Sequence, residues 1–597
     1  MVEGFGSSAP VANNANKEGR SKNRRVEITA MAMAIPVPPE EKPEPTFVWN
    51  AWAEEGRVVK YKPVSYLKPK TEYSISLHLS NYTYNEKGVV SQPPSKQFHD
   101  FLKDQIENLN NSELKLTVVL IPDSDYFEVL QTPNRPMTIN LDKIRKFKLK
   151  ARSPGNALEI LAKSPTTLPD FVFGSIDFKG ITTRQREGIG YIGVAIWHDG
   201  VPVEDFSLPF LIASTERGDA GLTLSSQRKE MLSLNLRPPP AAALHFFGLN
   251  SAKCVGIFWT NEKPNEFSTW DLDRSPDEMQ KFFLDVLIKK FNKLQPEETW
   301  RQYGIDFFNF IFPTRDIRDK MRKYVKRHIN ASPFGCRDLP SLFVRFTEIK
   351  DGMPFILPLG MMAIDFDEGR TEFLAFHFRI ATPLKYGSYV DNSQCISHRI
   401  LSMPVKDEEL KKYYQQIDKT LQDGWKINAR EELLEDLPSF KKWLNEEVND
   451  NRSTAIIVMT HHGENTFADE TGEVSSTDVR REFTQPSVAI LNGCGTMEPT
   501  STDFIKQFNK RGVMAVVATS TSVDKRMAAD FLESLGKEIQ WARQEGEKEI
   551  TLSELFYRTQ RRLYWEFDNH KANVLRYTLL GDGGLRLCVP TEGGAHE

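Results

Sequence analysis

Two short apolar segments constrain the fold of this chain more than any other feature of its sequence. Residues 456–459 read Ile-Ile-Val-Met and are followed by Thr-His-His-Gly at 460–463. Residues 488–491 read Val-Ala-Ile-Leu and are followed by Asn-Gly-Cys-Gly at 492–495. Apolar runs that stop at polar or glycine-rich corners are typical of strands buried on both faces of a parallel sheet. The polar segment 464–486 between them predicts a crossover that joins neighbouring strands.

The residues that follow these two strands predict a Cys-His dyad. Reactive side chains in open α/β sheets collect beyond the carboxyl ends of the strands, where His462 and Cys494 would both lie. A thiolate attacks carbonyl carbons, and a nearby histidine removes the thiol proton and later returns it to the leaving amine. Gly463 and the glycines that flank Cys494 allow sharp turns and close approach of a substrate. We expect the backbone amides of Gly463 and Cys494 to form an oxyanion hole.

Each of these residues has a plainer interpretation when it is taken alone. Cys494 alone would be a buried structural thiol, because free cysteine is among the most buried residue types. His461 or His462 alone would be a hydrogen-bonded loop residue. A metal site at this pair is disfavoured, because adjacent residues at a strand end point in opposite directions and no further ligand follows at a suitable spacing. The order of the two strands, one ending in His-Gly and the next in Gly-Cys-Gly, favours the dyad.

Length and charge bound the classes of protein to consider. The chain has 597 residues, which suggests roughly three to four domains. Its net charge of -4 gives no reason to expect binding to nucleic acid or to an anionic membrane. No stretch approaches the roughly 18 apolar residues that span a bilayer, and the N-terminus lacks an uninterrupted apolar signal segment. We therefore expect neither a nucleic-acid partner nor a membrane partner.

The cysteines indicate where the protein works. The five are Cys254, Cys336, Cys395, Cys494 and Cys588. They are widely scattered and include no C-x-x-C pair, which argues against both a disulfide framework and a zinc site. Cys336 lies beside no candidate base and is interpreted as a packed or surface thiol. We expect a cytoplasmic protein.

The first third of the chain is predicted to be a tail followed by a β domain. Residues 1–45 are rich in polar residues and then in proline and glutamate, a composition that predicts a disordered tail. Residues 46–215 are predicted to form a β-sandwich-like domain with one inserted helix at 95–109. Its predicted strands are 47–52, 73–79, 116–121, 145–150, 191–197 and 206–212. Sandwiches commonly bind partners, so a binding or regulatory role is expected.

The remaining chain divides into a linker and two regions of regular structure. A polar linker covers 216–243, and 244–393 has no chemistry of its own. Predicted strands in the latter are 254–259, 341–347, 354–364 and 373–380; predicted helices are 300–311, 316–328 and one that opens at Ser275 with a capping box completed by Glu278. Residues 394–597 alternate strands and helices, which predicts an α/β unit with a mostly parallel sheet and helices on both faces. Its predicted helices include 523–542 and 553–565, and residues 579–582 and 585–589 are predicted to supply a closing edge strand.

At these residues the chain resembles the CHAT domain, a caspase-like branch of the cysteine-peptidase clan that includes caspases, metacaspases, separase and gingipains. The resemblance extends over 394–590 and, more loosely, over 245–390. The segments that carry it are the strand ending in His-Gly at 459–463, the strand ending in cysteine at 491–496, the glycine and apolar strand at 512–519, the turn with an aspartate at 520–524, and Leu-Gly-Asp-Gly-Gly-Leu at 580–585. No repeat near 34 residues accompanies it.

The resemblance implies roles for individual residues. It assigns the base to His462 and the nucleophile to Cys494. Asp524 is a candidate for an acidic residue of the substrate pocket, and a turn-capping role is its alternative. Two departures from the family pattern are Gly583 in place of the usual proline and the absence of the tryptophan usual before the aspartate turn, which affects the primary specificity pocket.

The residues and the resemblance together predict a caspase-like cysteine endopeptidase that cleaves a specific protein substrate without a cofactor or metal. Its N-terminal β domain would recruit a regulatory protein or sense a trigger. The resemblance further implies an effector role in bacterial defence or programmed death. The alternative is a non-catalytic caspase-like scaffold that binds partners. A nucleotide-dependent enzyme lacks support, because no glycine-rich phosphate loop precedes a helix.

Overall fold

A computed structural model describes most of the chain between Phe47 and Val589. The described residues are 47–107, 110–129, 134–146, 157–163, 168–215, 240–248, 253–272, 274–275, 278–279, 282, 297–331, 340–346, 359–366, 370–381, 395–402, 413, 417, 419–421, 432–434, 436–450, 452–462, 466–469, 471–493, 503–520, 523–566 and 573–589. All of them belong to one compact unit. The predicted tail at 1–45, most of the linker at 216–243, and Cys336 lie outside them.

Two antiparallel sheets form the described part of residues 47–215. The strands are β1 (Val48–Glu55), β2 (Glu72–Ser80), β3 (Val89–Gln92), β4 (Glu113–Pro122), β5 (Phe127–Val129), β6 (Asn134–Asn140), β7 (Val172–Thr183), β8 (Gly188–His198) and β9 (Val201–Ile212); the helices are α1 (Lys96–Glu107), α2 (Leu141–Lys146) and α3 (Ala157–Lys163). The sheets have the orders β3-β1-β2-β7-β5 and β6-β4-β8-β9. Their facing side chains share one core, with Trp49 and Leu77 from the first and Leu116 and Val194 from the second.

A mixed sheet follows in the middle of the chain. Its region contains β10 (Ala242–Gly248), β11 (Cys254–Thr260), β12 (Phe267–Asp271), β13 (Ser341–Phe346), β14 (Ala363–Phe366), β15 (Arg370–Phe373) and β16 (Arg379–Ala381), with helices α4 (Glu297–Ile311) and α5 (Arg315–Ala331). The sheet order is β12-β11-β10-β13-β16, in which β13 runs parallel to both neighbours. The predicted capping box is present, since the Ser275 amide donates to the Glu278 carboxylate at 2.8 Å and the Glu278 amide donates to Ser275 Oγ at 3.1 Å.

The middle sheet and the N-terminal half share a second hydrophobic cluster, which we call the junction core. Val119, Ile121, Ala195 and Trp197 contribute from β4 and β8, and Ala243, Phe247, Val255, Ile257, Trp259 and Phe343 contribute from β10, β11 and β13. Beside it, Lys253 Nζ lies 2.8 Å from Asp123 Oδ1. The chain segments before and after the linker are therefore joined by buried apolar contact as well as by an ion pair.

A six-stranded sheet organises the C-terminal third. The strands of this region are β17 (His398–Ser402), β18 (Glu432–Leu434), β19 (Asn449–Asp450), β20 (Thr454–Val458), β21 (His461–His462), β22 (Thr466–Asp469), β23 (Gly472–Ser475), β24 (Glu482–Phe483), β25 (Val488–Leu491), β26 (Ala515–Thr519), β27 (Glu549–Thr551), β28 (Tyr577–Gly581) and β29 (Arg586–Cys588); the helices are α6 (Leu437–Asn445), α7 (Asp503–Lys510), α8 (Lys525–Gln544) and α9 (Leu552–Glu566). The sheet order is β18-β17-β20-β25-β26-β28. The first five strands are parallel, and β28 is an antiparallel edge.

Both faces of this sheet are covered, which explains its uninterrupted apolar strands. In β20, Ala455 and Ile457 belong to the hydrophobic cluster that contains Phe531 of α8. Ile456 and Val458 belong instead to the cluster that contains residues of α6 and α7. Successive side chains of a strand point to opposite faces, so a strand between two layers of helices needs apolar residues at every position.

Three predicted strands, 145–150, 354–364 and 373–380, are wrong in part. Residues 145 and 146 belong to α2, where Leu141 and Ile144 turn inward and Asn140 Oδ1 accepts a 2.7 Å hydrogen bond from the Lys143 amide. Residues 374–376 form a 3₁₀ turn between β15 and β16, and residues 359–361 form another before β14. Short apolar runs are buried equally well as a strand or as a helical turn, so periodicity alone does not separate the two. The predicted closing strand is also divided, because β29 pairs with β27 rather than with the six-stranded sheet.

The expectation of unpaired cysteines is corrected for two of the five. Cys395 and Cys588 form a disulfide, with their Cα atoms 5.2 Å apart, across 193 positions of sequence. Cys254 is buried and belongs to no disulfide. The sequence could not reveal this pair, because the two residues are brought together by the isolated pairing of Ile396 with Leu587. Among the described residues, no helix combines the length and apolar character needed to cross a membrane.

Candidate active site

The carboxyl ends of β20 and β25 lie side by side in the middle of the six-stranded sheet. Their parallel register pairs Ala455 with Val488 and Val458 with Leu491. Just beyond it, the Asn492 amide donates a 2.8 Å hydrogen bond to the Val458 carbonyl. The two chain segments that leave these strands therefore start from adjacent points at the carboxyl-terminal end of the sheet. One leads to the predicted base and the other to the predicted nucleophile.

The predicted dyad itself is only partly within the described residues. Cys494 and Gly463 lie outside them, and only the backbone of His461 and His462 is described. These two histidines form β21, which pairs antiparallel with β22 and sets His462 opposite Phe467. The distance between imidazole and thiol, and the oxyanion hole, therefore stay predictions.

Asn492 lies two positions before Cys494 in the sequence, and hydrogen bonds of its side chain hold it in a buried position. Its Nδ2 donates a 2.7 Å hydrogen bond to the Ala528 carbonyl in α8. Its Oδ1 accepts a 2.6 Å hydrogen bond from the Tyr577 hydroxyl in β28. Asn492 is 1% exposed, so both ends of its amide are satisfied by the protein rather than by water. This pair of bonds fixes the backbone from which the candidate nucleophile continues.

Further contacts from the neighbouring strands stabilise the backbone at residues 492 and 493. The Thr519 hydroxyl, at the end of β26, donates to the Gly493 carbonyl. The ring of Tyr577 stacks on Phe531 with a centroid distance of 3.9 Å and an interplanar angle of 6°. The ends of β25 and β26 and the start of β28 thus converge on residues 492 and 493.

Sequence reasoning did not identify this network. A polar residue at the end of a fully apolar strand is a signal, because a buried amide needs partners. The partner itself could not be found in this way, because Tyr577 lies 85 positions further along the chain.

Asp524 caps helix α8. Its side chain accepts a 2.8 Å hydrogen bond from the Met527 amide, and its backbone is extended, as is usual at an N-cap. The structure therefore gives Asp524 its alternative, capping role. The carboxylate is also exposed, and the pocket role stays a prediction.

The described residues contain histidines and carboxylates that are close to one another, which raises the question of a metal site. Within the described ranges, no group of three or more His, Cys, Asp or Glu side chains comes together in a way that could hold a metal ion. The two shortest acid-imidazole distances among the described residues are 3.2 Å between His245 Nε2 and Asp205 Oδ2 and 3.2 Å between His377 Nε2 and Glu372 Oε2. A structural zinc site takes four ligands, so neither pair suffices by itself.

Comparison with known proteins gives distant likenesses. No protein family and no curated protein matches the chain. Among solved structures, it is similar to the Arg-specific cysteine proteinase gingipain R, with a TM-score of 0.32, 12% identity, and coverage of 47% of this chain and 70% of that one. It is also similar to the complex of Porphyromonas gingivalis RgpB pro- and mature domains (TM-score 0.30, 11% identity, 53% and 79% coverage) and to the Saccharomyces cerevisiae separase-securin complex (0.32, 10%, 58% and 30%). Scores of this size establish no common fold, so function has to be argued from the chain's own residues.

Proposed function

We propose that the protein is a caspase-like cysteine endopeptidase of the CHAT type, with Cys494 as nucleophile and His462 as general base. The observation that supports this most strongly is the parallel pairing of β20 with β25, whose carboxyl ends lead to these two residues from adjacent points. The covering of the sheet by helices on both faces supports the caspase-like fold class. An edge of this kind is where open α/β sheets carry reactive side chains.

The proposed reaction proceeds in two halves. His462 takes the proton of the Cys494 thiol, and the thiolate attacks the carbonyl carbon of the scissile peptide bond. The backbone amides of Gly463 and Cys494 stabilise the oxyanion of the tetrahedral intermediate. The imidazolium then protonates the leaving amine, which departs and leaves a thioester on Cys494. Water, deprotonated by His462, attacks the thioester, and the carboxylic acid product leaves as the thiolate is restored.

The hydrogen bonds around Asn492 support this assignment by providing rigidity. A nucleophile contributes to catalysis only when it is held close to its productive position. Asn492 and Gly493 are tied to three different elements, so the backbone before Cys494 has little freedom.

Two residues near Cys494 in sequence or by resemblance, Asn492 and Asp524, are candidates for the residue that sets substrate specificity. Asn492 cannot bind a basic substrate side chain, because its amide is fully engaged and buried. Asp524 remains the proposed acidic residue of the pocket. Asp524→Asn separates its two roles, because asparagine caps helices as well as aspartate does but carries no charge. Loss of cleavage after Arg or Lys with unchanged stability supports the pocket role, and unchanged cleavage removes it.

We further propose the biological setting that the architecture favours. The N-terminal β domain is the proposed docking site for a regulatory protein, because an unrestrained peptidase would damage its own cell. A cytoplasmic effector in bacterial defence or programmed death, acting on a chosen protein substrate, fits this organisation.

The direct test is cleavage of a host proteome by the purified protein, with mapping of new termini. Cys494→Ala and His462→Ala should each abolish the new termini while the melting temperature is unchanged. His461→Ala is the matched control, because it removes the adjacent imidazole and should retain cleavage. Activity that persists in Cys494→Ala overturns the assignment.

The alternative, a non-catalytic scaffold, makes a different prediction. A cysteine activated by a histidine reacts faster with an electrophile than an ordinary thiol at neutral pH, and its rate falls as pH drops below the thiolate pKa. Selective labelling of Cys494, lost in His462→Ala, supports the peptidase. Labelling of Cys494 at the rate of an ordinary exposed thiol, together with no cleavage of any proteome, supports the scaffold.

A further inference from the structure

A cavity of about 820 Å³ lies between helix α5 and the hairpin of β11 and β12, away from the candidate active site. Five cationic side chains line it, with a single carboxylate: Lys263, Lys320, Lys323, Lys326, Arg327 and Glu266. The protein as a whole carries a net charge of -4, so this concentration of positive charge is local. Concave basic surfaces focus the electrostatic field and attract anions.

Three of the cationic side chains come from one face of α5, whereas Lys326 lies elsewhere on this helix and Lys263 lies in the hairpin loop. Lys320, Lys323, Tyr324 and Arg327 follow the spacing i, i+3, i+4, i+7, which places them on the same side of a helix. Arg327 is paired with Glu262 at 2.8 Å and Lys320 with Asp316 at 2.8 Å. Lys323 is exposed and has no hydrogen-bond or ion-pair partner within the described part of the chain. Ion pairs between exposed side chains are weak, so an incoming anion can displace the carboxylates from Lys320 and Arg327 and can bind Lys323 directly.

Aromatic rings form the other part of the lining. Phe258 and Phe267 line the cavity from β11 and β12, and the ring of Tyr324 packs edge-on against Phe258 at 5.5 Å. Tyr324 is 1% exposed, and its hydroxyl has no hydrogen-bond partner among the described residues. Most buried polar groups in folded proteins have a hydrogen-bond partner, so the Tyr324 hydroxyl is an exception. Burial raises the pKa of Tyr324, which keeps its hydroxyl protonated as a donor.

We propose that this cavity binds a nucleotide, with its phosphates on the α5 cations and with its base against the aromatic lining. The volume suits a compact small ligand rather than an extended chain. Lysine is a common phosphate ligand, and aromatic rings stack on bases without strict sequence preference. An acidic peptide would match the cations and leave the aromatic lining unused.

The position of the cavity connects it to the N-terminal half. Asn134 of β6 lines it and donates a 2.6 Å hydrogen bond from Nδ2 to the carbonyl of Asn265, in the hairpin loop. A ligand in the cavity therefore touches elements from both sides of the linker. This location suits a signal molecule better than a substrate of the candidate dyad.

The test is calorimetric titration of the full chain with ATP, pyrophosphate and hexaglutamate, at low and high salt. We expect ATP to bind with a dissociation constant below about 100 μM at low salt and more weakly at high salt. Lys323→Glu should weaken binding at least about tenfold, because it reverses the charge of an unpaired cation. Lys163→Glu is the control: it reverses an exposed lysine of α3 that does not line the cavity, and should bind ATP normally.

Tyr324→Phe is a second control, because it keeps the aromatic ring and removes a hydroxyl that lies out of the ligand's reach. It should bind ATP as the native chain does, with a stability equal to or greater than that of the native chain. Absence of ATP binding, equal affinity for pyrophosphate, displacement of ATP by hexaglutamate, or normal ATP affinity in Lys323→Glu would each overturn the proposal. None of these measurements uses peptidase activity, so their outcome is independent of the function proposed above.

Discussion

The Tyr577 hydroxyl donates a 2.6 Å hydrogen bond to the side-chain oxygen of Asn492, joining the edge strand of the six-stranded sheet to the strand that leads to Cys494. Both residues are buried, at 2% and 1% exposure. This bond is the most specific link between the packing of the sheet and the position of the candidate nucleophile.

Tyr577→Phe should therefore lower both stability and catalysis. The phenyl ring keeps the stacking on Phe531, but the Asn492 oxygen loses its donor in a place that water does not reach. We expect a loss of about 1–3 kcal/mol in the free energy of unfolding, measured by urea denaturation. In peptide cleavage we expect kcat to fall more than KM changes, because the substrate pocket is untouched. Tyr324→Phe is the comparison, since it removes a buried hydroxyl without a partner; equal losses in the two variants would contradict this interpretation.

The bond between Cys395 and Cys588 should contribute to stability under oxidising conditions. A disulfide typically contributes about 2–4 kcal/mol, and the loop closed here is long. We expect dithiothreitol to lower the melting temperature of the native chain and to leave that of Cys588→Ser unchanged. Disulfides are rare in reducing compartments, so the redox state of this cysteine pair in the cell bears on the proposed cytoplasmic location. Alkylation during lysis, followed by mass spectrometry, will reveal whether the pair is oxidised in the cell.

His78 should make the N-terminal half sensitive to acid. Its ring is buried against Trp52 at 4.7 Å and beside the Tyr84 hydroxyl at 3.3 Å, and burial lowers the pKa of His78 to about 3. The unfolded chain binds a proton near pH 6.5, so stability is complete above this pH and falls as pH drops toward 3. By pH 5 the loss amounts to about 2 kcal/mol.

The measurement is the pH dependence of urea unfolding. His78→Gln should flatten the slope between pH 7 and pH 5, whatever its effect on absolute stability. A native slope in His78→Gln would show that this imidazole is not responsible.

Gly581 should tolerate no side chain. It adopts a left-handed φ of +89°, and a Cβ atom there would overlap the Met514 carbonyl oxygen. Gly546 also has a positive φ, +76°, but open space around its Cβ position. Gly546→Ala should cost about 1 kcal/mol for the backbone conformation alone, whereas Gly581→Ala should cost several times more or prevent soluble expression. Similar melting temperatures for the two variants would be inconsistent with the close approach at Met514.

Long elements with strong periodicity were predictable from the sequence. The helices α1, α4, α5, α8 and α9 lie within a few residues of their predicted limits, because an apolar stripe of sufficient length admits one interpretation. The central strands β20, β25 and β26 were predicted for the same reason. Short elements such as β14 and β15 were not, because four residues carry too little pattern.

The candidate site divides in the same way. The expectation that His462 and Cys494 lie close together follows from the ends of two neighbouring strands, and each strand can be identified from its own short apolar run. The Tyr577 bond to Asn492, the pairing of Cys395 with Cys588, and the cavity beside α5 depend on contacts between distant segments. Such contacts are set by the fold, and no local pattern of residues specifies them.

The junction core changes what can be expected of truncated forms. Its side chains from β10, β11 and β13 lie against β4 and β8, so a fragment that begins after the linker would present Phe247, Ile257 and Trp259 to water. An apolar surface of that kind drives self-association. The β sheets ahead of the linker are thus one wall of a buried interior, and we expect the two parts of the chain to unfold together rather than one after the other.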